Sequence, residues 1–412
     1  MRYVHVAGTN GKGSVAAMIG SILTAAGHKT GLYTSPHLHR FVERIRINGR
    51  PVSEVRVARR VADLEKAVAR GGFPELSFFE TATLLAFELF QEQHCEIAVL
   101  EVGLGGRLDA TNVVMPDVTV ITRLALEHED TLGSSLEAIA REKAGIMKQG
   151  VPLVCGVRTS PGKEIIEKRA EELQVPVWWL DTDFAARPSA HGRIDVRVKQ
   201  ERIEGLRVRL LGAHQVDNAA TAVAACFALR TRGFTVPDEA IHEGIRRTKW
   251  PGRLERIPGK PPVILDSAHN PDACTALGSY LSARRPKGPR VLVFGAMKDK
   301  DHEAMLQALD GLFDQYIFTE PTGIPRAASA DKLAERRFGK VARGVKDALY
   351  RARRAAGDDG EVVVAGSIFL VAEARAELLN AKTDPPLGQW GQCQVGCGAN
   401  PAGSQSSARS RR

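Results

Sequence analysis

No apolar run in the 412 residues is long enough to span a bilayer as a helix, which excludes a helical membrane anchor. Met1 leads straight into the first strand-like run and leaves no room for a signal peptide, so a cytoplasmic protein is expected. Cysteines are few: Cys95, Cys155, Cys226, Cys274, Cys393 and Cys397. None stands at a convincing metal spacing, and reduced thiols are expected. No block of Lys and Arg interleaved with aromatics argues for nucleic acid. What the chain does have is length for two or more domains and 43% hydrophobic residues, enough for sizeable cores. Its formal net charge of +9 combines diffuse surface basicity with attraction for polyanionic substrates.

The most informative stretch is residues 6–14, Val-Ala-Gly-Thr-Asn-Gly-Lys-Gly-Ser, directly after the apolar run Tyr3–Val6. It reads as a strand, a glycine-rich turn and a helix. Gly8, Gly11 and Gly13 let the backbone curl so that its N–H groups form an anion-binding nest. Lys12 adds a point charge for β- and γ-phosphates, and the dipole of the following helix adds positive potential. A nucleotide-triphosphate site is expected there, with Thr9, Asn10, Gly11, Lys12, Gly13 and Ser14 around the phosphates. The match to G-x-x-x-x-G-K-[ST] is not strict: Val6 stands at its first glycine and Gly13 at its Ser/Thr.

The rest alternates strands and helices, an α/β pattern. Val15, Met18, Ile19, Ile22 and Leu23 form a helical stripe ending near Gly27. A strand near Gly31–Tyr33 ends at Thr34-Ser35-Pro36-His37-Leu38, and residues 41–52 suggest a hairpin around Asn48-Gly49. Helices are expected near 54–70 and 78–93, and strands at Ile97–Val102 and Val118–Thr122. Residues 176–212 look β-like, and an alanine-rich helix is expected over roughly 217–232. A second α/β unit begins near Trp250-Pro251-Gly252, with strands at Val263–Leu265, Arg290–Phe294, Gln315–Phe318 and Glu361–Ala365. The expected organisation is therefore 1–250, 251–383 and a disordered tail 384–412 rich in Gly, Pro, Ser and Gln.

Polar clusters follow several strands, where open α/β sheets gather their chemistry. Glu101 ends one strand and opens Glu-Val-Gly-Leu-Gly-Gly-Arg-Leu-Asp-Ala-Thr-Asn. A carboxylate facing a phosphate turn is a natural Mg²⁺ ligand, and a capping or salt-bridged Glu is the competing reading. His128 follows another strand; a lone His is more often structural. Lys143 lies in Arg-Glu-Lys-Ala-Gly-Ile, where a helical Lys is more often solvated.

Taken in order, Gly8–Ser14, Thr34–Leu38, Ser77–Glu80, Glu101–Asn112, the His128 segment, Glu142–Ile146, Pro251–Glu255 and Asp266-Ser-Ala-His-Asn-Pro271 resemble folylpolyglutamate synthase. Bacterial members are often also dihydrofolate synthases, and the family belongs to the Mur ligases. The resemblance runs from residue 2 to about 380. It implies a P-loop ATP-binding Mur-ligase central domain joined to a C-terminal Rossmann-like glutamate-ligase domain. It also implies a reaction. ATP phosphorylates a substrate carboxylate, and the amine of L-glutamate attacks the acyl phosphate to give an amide, ADP and phosphate.

By the same resemblance, the metal ligands map to Ser35, Glu101 and His128, with Mg²⁺ as the metal, two ions expected, and ATP as co-substrate. Lys143 maps to a lysine that is carbamylated in the family and so could help hold a second Mg²⁺. Catalytic roles fall to Lys12, Lys143 and His269. The residue before His128 is usually Asp in the family and is Glu127 here, which is not taken as a ligand. ATP contacts carry over to Asn218, Arg253 and Asp266. Asn218 could instead cap its helix, and Arg253 could instead form an interdomain salt bridge. His269 is the candidate to orient the incoming glutamate, against a helix-start role, and Ser367 lies in the glutamate-pocket segment. Lys298-Asp299-Lys300-Asp301 matches a family motif to which no step is assigned.

The pterin end maps to Leu76, Ser77, Phe78 and Phe79, with Arg107 and Asp109 nearby. One Phe could stack on a pterin ring, or both could sit in the core. Phe78 stands where monofunctional members tend to have Glu, which leans toward dihydropteroate as a substrate beside reduced folates. Family members carry a helical lead-in before the first strand. This chain starts at the strand, so a longer natural protein is expected, or else a weakened pteroate pocket with ATP binding less affected. The competing readings are a Mur-type cell-wall amino-acid ligase and a truncated, non-catalytic nucleotide-binding paralogue. A P-loop kinase or GTPase is disfavoured by the second α/β unit and by the absence of a guanine-type Asn-Lys-x-Asp. The family implies a monomer acting on small molecules, with no nucleic acid or membrane partner.

Overall fold

The computed structural model describes residues 1–71 and 76–385. Residues 386–412, and with them Cys393, Cys397 and most of the stretch expected to be a disordered tail, lie outside the described residues.

Three sheets organise the chain. The first contains β1 (Arg2–Ala7), β2 (Thr30–Tyr33), β3 (Ile45–Ile47), β4 (Arg50–Pro51), β5 (Ile97–Glu101), β6 (Val118–Ile121), β7 (Leu153–Cys155) and β8 (Val177–Trp179). Its spatial order is β4-β3-β2-β5-β1-β6-β7-β8. The six strands from β2 to β8 run parallel, and β3 and β4 close one edge antiparallel. A three-stranded antiparallel sheet follows, from β9 (Phe184–Pro188), β10 (Ile194–Val198) and β11 (Glu201–Leu206). The third sheet holds β12 (Glu255–Ile257), β13 (Val263–Leu265), β14 (Arg290–Phe294), β15 (Gln315–Phe318), β16 (Lys340–Val341) and β17 (Glu361–Ala365), in the order β12-β13-β17-β14-β15-β16. All its pairings are parallel except β12 with β13.

The local reasons are plain. β5, β6, β14 and β17 are buried at every residue, so their near-continuous apolar runs suit strands covered on both faces. The helix His214–Thr231 is apolar almost all round, and alanines let it pack between the first sheet and β9–β10. The helix Lys12–Ala25 shares that core through Val15, Met18, Ile19, Ile22 and Leu23. The hairpin expected near Asn48-Gly49 is the β3–β4 pair, Ile47 opposite Arg50. The sequence reading did not name β7, β12 or β16; each is only two or three residues long, too short to show a period of two. No helix among the described residues is long and apolar enough to cross a membrane.

Candidate active site

The carboxyl ends of β1, β2, β5 and β6 open onto one cleft, and the loops after β13 meet them from the other side. The turn after β1 forms its floor. Gly8 has φ +143°, and a Cβ there would lie 1.9 Å from Thr122 Oγ1. Gly11 has φ +90°, and its Cβ would lie 2.6 Å from Asn218 Oδ1. Only glycine fits either position, on backbone and on space. Lys12 is held across the turn, donating to the carbonyls of Gly8 (2.8 Å) and Thr9 (2.9 Å). Thr9, Asn10, Gly11, Lys12, Gly13 and Ser14 all line the cleft, as do Asn218, Arg253 and Asp266.

Glu101 ends β5 with its side chain buried, and Oε2 accepts from the Ser35 backbone N–H at 3.1 Å. Burial pushes its carboxyl up to about 6, partly offset by Lys12, the Ser35 N–H, Arg253 and Arg44. Among the described residues no cation pairs directly with it, so this is a buried carboxylate in want of a counter-charge. His128 lines the same cleft, its own pKa lowered chiefly by burial. Among the described residues no three His, Cys, Asp or Glu side chains converge closely enough to hold a metal by themselves. The carboxylate, hydroxyl and imidazole donors fit a hard cation that takes its remaining ligands from phosphate and water, as Mg²⁺ does.

Lys143 lies behind this floor. Its side chain is 4% exposed, and Nζ donates to the Gly8 carbonyl at 3.0 Å, the same oxygen that Lys12 uses. Burial, then the neighbouring Lys12 charge, holds its ammonium down to about 7, against weaker support from Glu127 and Asp109. The sequence reading that a helical lysine is more often solvated does not describe it, because Ser135–Ala144 turns this face of the helix onto the turn after β1.

Asp266, at the end of β13, accepts from the Leu254 and Ala268 N–H groups at 2.8 and 2.9 Å. Burial raises its pKa, with Arg253 and His214 opposing. Arg253 donates to the Ser267 carbonyl at 3.3 Å rather than forming a salt bridge in this arrangement. Asn218 lies in the first turns of its helix and donates to Gln215 Oε1 at 3.0 Å rather than capping it. Ser367 is buried at the start of the helix Ile368–Leu379 and accepts from the Phe369 N–H; it does not line this cleft.

The pterin candidates stand apart from this cleft. Ser77 and Glu80 form a reciprocal helix cap: Ser77 Oγ accepts from the Glu80 N–H, and Glu80 Oε2 from the Ser77 N–H at 2.8 Å. Leu76 directly precedes that cap. Phe79 turns inward against Tyr33 and over Gly103, whereas Phe78 is 42% exposed beside Phe41 and Arg44. Arg107 pairs with Glu142 at the surface. Asp109 is buried and fully engaged by the N–H groups of Gly103, Leu104 and Thr111 and by the Thr111 hydroxyl, so it shapes the loop after β5.

Three groups escaped the sequence reading. Asn10 reaches across to Asp272 (2.8 Å) and Asn270 (3.2 Å), and Arg123 pairs with Asp272 at 3.2 Å. Arg158 links Asp181 and Asp217 at the far end of the cleft. Glu127, set aside as a ligand, accepts from His269 Nε2 at 2.7 Å. Burial would raise Glu127, but that bond and the charges of His269, Lys12 and His128 outweigh it and hold the carboxyl well below the usual range. Position at a strand's carboxyl end was the available signal for Arg123 and Glu127; nothing in the local sequence marks their partners.

Comparison with known proteins agrees with this geometry. Residues 6–226 match the family described as Mur ligase middle domain, and residues 252–368 match the Mur ligase glutamate ligase domain. The chain is 39% identical to the Escherichia coli dihydrofolate synthase/folylpolyglutamate synthase, over 92% of this chain and 86% of that protein. It is 38% identical to a Haloferax volcanii probable bifunctional folylpolyglutamate synthase/dihydropteroate synthase, but spans only 46% of that longer protein. It superposes on Escherichia coli FolC in complex with DHPP and ADP with a TM-score of 0.85 at 37% identity, covering 92% of this chain and 88% of the other. A Yersinia pestis folylpolyglutamate synthase/dihydrofolate synthase complexed with AMPPNP and Mn ion gives 0.84 at 37% identity, covering 92% and 89%.

Proposed function

This chain belongs to the Mur ligase family, among the dihydrofolate synthase/folylpolyglutamate synthases, and on that premise we propose that it is an ATP-dependent carboxylate–amine ligase joining L-glutamate to folates and to dihydropteroate. The observation that carries the reading is one cleft with a phosphate-type turn on one side and the Asp266–His269 loop on the other. A carboxylate has no leaving group until it is phosphorylated. The γ-phosphoryl of ATP passes to the substrate carboxylate oxygen, with ADP leaving. The amine lone pair of L-glutamate then attacks the acyl carbon, phosphate leaves with its bonding pair, and the amine sheds a proton.

The residues divide this work. The N–H groups of Gly11–Ser14 and the Lys12 ammonium bind and align the phosphates. Asn218 and Asp266 flank the nucleoside, and Arg253 reaches the phosphates from the join between the sheets. Ser35, Glu101 and His128 would hold Mg²⁺, which when bound spreads the charge of the transferring phosphoryl. Lys143, if carbamylated, would help hold a second Mg²⁺. Its environment favours that modification, because an amine held to about 7 is substantially neutral at physiological pH and can add to CO₂. His269 orients L-glutamate, and Ser367 belongs to the glutamate pocket. Phe78 is the exposed ring available to a pterin, and Phe79 belongs to the packing around Gly103. The enzyme works as a cytoplasmic monomer.

The test is a product-mass assay with ATP, Mg²⁺, bicarbonate and L-glutamate, split between dihydropteroate and a reduced folate. A glutamyl increment on both is expected. An increment on the folate alone confines the chain to polyglutamylation, and none on either overturns the reading.

A further inference from the structure

Glu127 sits in the loop after β6, on the side of the first sheet, with its side chain only 7% exposed. Its two nearest basic side chains come from the third sheet, and His128, the next residue in its own loop, places Nε2 3.8 Å from Oε1. His269, after β13, donates from Nε2 to Oε1 at 2.7 Å, and Lys300, after β14, places Nζ 3.6 Å from the same oxygen. The Lys300 side chain is 10% exposed and has Asp299 Oδ2 at 3.3 Å as its second acidic neighbour. The other ring nitrogen of His269, Nδ1, meets the Ser267 carbonyl at 2.8 Å, and a carbonyl can only accept. With Nε2 on Glu127, these two bonds fix the orientation of the imidazole. One nearly buried carboxylate thus gathers a histidine and a lysine from across the cleft, where low dielectric strengthens the attraction to Lys300.

We propose that Glu127 is a positioning residue for the amino-acid substrate: it draws His269 and Lys300 onto the P-loop side of the cleft and so fixes where the imidazole and the ammonium stand when the carboxylate of L-glutamate enters. The inference rests on the reading of His269 as the group that orients L-glutamate. Removing the Glu127 charge frees the imidazole to turn about its remaining bond to Ser267 and leaves Lys300 to Asp299. The hydrogen bonds that hold Lys12 across the Gly8–Ser14 turn go to the Gly8 and Thr9 carbonyls and do not involve Glu127.

The experiment is steady-state kinetics on the full chain with Glu127→Gln, Glu127→Asp, Lys300→Met and the Glu127→Gln/Lys300→Met pair, varying L-glutamate, ATP and Mg²⁺ separately. Glu127→Gln is expected to raise the L-glutamate KM about tenfold, the loss of one charge-assisted bond, with the ATP KM and the melting temperature nearly unchanged. Glu127→Asp should recover part of that loss, because it keeps the charge on a shorter arm. The pair should lose less than the product of the two single effects, the signature of direct coupling. Three outcomes overturn the proposal: an unmoved L-glutamate KM, parallel losses in ATP and L-glutamate affinity with a lowered melting temperature, or a shifted Mg²⁺ requirement, which would make Glu127 a metal ligand. If the unaltered chain forms no glutamylated product, the functional reading fails and takes this inference with it. Product from the unaltered chain with an unmoved KM overturns the Glu127 assignment alone.

Discussion

The two large parallel sheets face the same cleft but offer it different chemistry. The first contributes a contiguous glycine-rich turn, Gly8–Ser14, with one lysine held across it, as the floor of the cleft. The third contributes side chains: Asp266 and His269 from the loop after β13, Asp272 from the helix that follows and Lys300 from the loop after β14, of which His269 and Lys300 reach over to Glu127, and Asp272 to Asn10 and Arg123. Backbone recognition needs glycines in sequence and is local. Side-chain recognition from a second sheet needs that sheet to be docked. Their amino-terminal ends differ as well. At the foot of the third sheet Arg290 and Glu361 form a buried ion pair at 3.0 Å, 3% and 1% exposed, joined by Arg284. At the foot of the first, Arg2 and Asp117 pair with Arg2 43% exposed.

The comparison can be broken first at those feet. Glu361→Gln is expected to cost about 3–5 kcal/mol in chemical denaturation, because it leaves Arg290 buried without its charge partner. Asp117→Asn should cost no more than about 1 kcal/mol, since its cation is solvated; equal losses would refute the distinction. At the carboxyl ends, Lys143→Met should lower kcat about 100-fold, roughly the worth of one preorganised charged group at a transferring phosphoryl, while ADP binding by calorimetry persists. Unchanged kcat would remove Lys143 from the mechanism.

Two smaller effects sharpen the picture of the first sheet. Phe79→Ala should destabilise the fold by about 2 kcal/mol, below the range for a fully buried ring because Phe79 is only partly buried. Phe78→Ala should leave thermal stability nearly unchanged and raise the KM for dihydropteroate. The reverse pattern would exchange their roles. His5 is buried against the Thr111 hydroxyl at 2.7 Å, and burial, with Lys148 adding, lowers its pKa to about 3. A lowered histidine stays neutral in the fold while the unfolded chain takes up a proton below about 6.5. Its contribution is therefore present above that pH and is lost on acidification toward 3. By pH 5.5 this amounts to about 1.2 kcal/mol relative to pH 7, and His5→Asn should remove that part of the slope in denaturation curves.

Much of the fold was legible because its signals are local. The buried strands Arg290–Phe294, Gln315–Phe318 and Glu361–Ala365 have the ranges their apolar runs suggest, and the helix Phe78–Glu92 lies where a helix near 78–93 was expected. The glycine-rich turn between strand and helix was legible for the same reason. The site's second half was less so. Lys143 reads as a surface lysine until Ser135–Ala144 is packed behind Gly8. Asp109, placed near the pterin end by resemblance, proves to be held by four donors of its own loop. Glu127, not taken as a ligand from sequence, has His269 142 residues away at hydrogen-bond distance.

By itself, the sequence determined the strand–turn–helix at residues 2–25, the alternation of strands and helices, and the family, because glycine geometry, apolar periodicity and ordered motifs act over a few residues at a time. Which charges are buried, which carbonyl two lysines share and which carboxylate holds a cation of the other sheet were decided only by the tertiary structure. Desolvation and Coulomb energy depend on what closes over a group, and the chain brings those neighbours from hundreds of residues away.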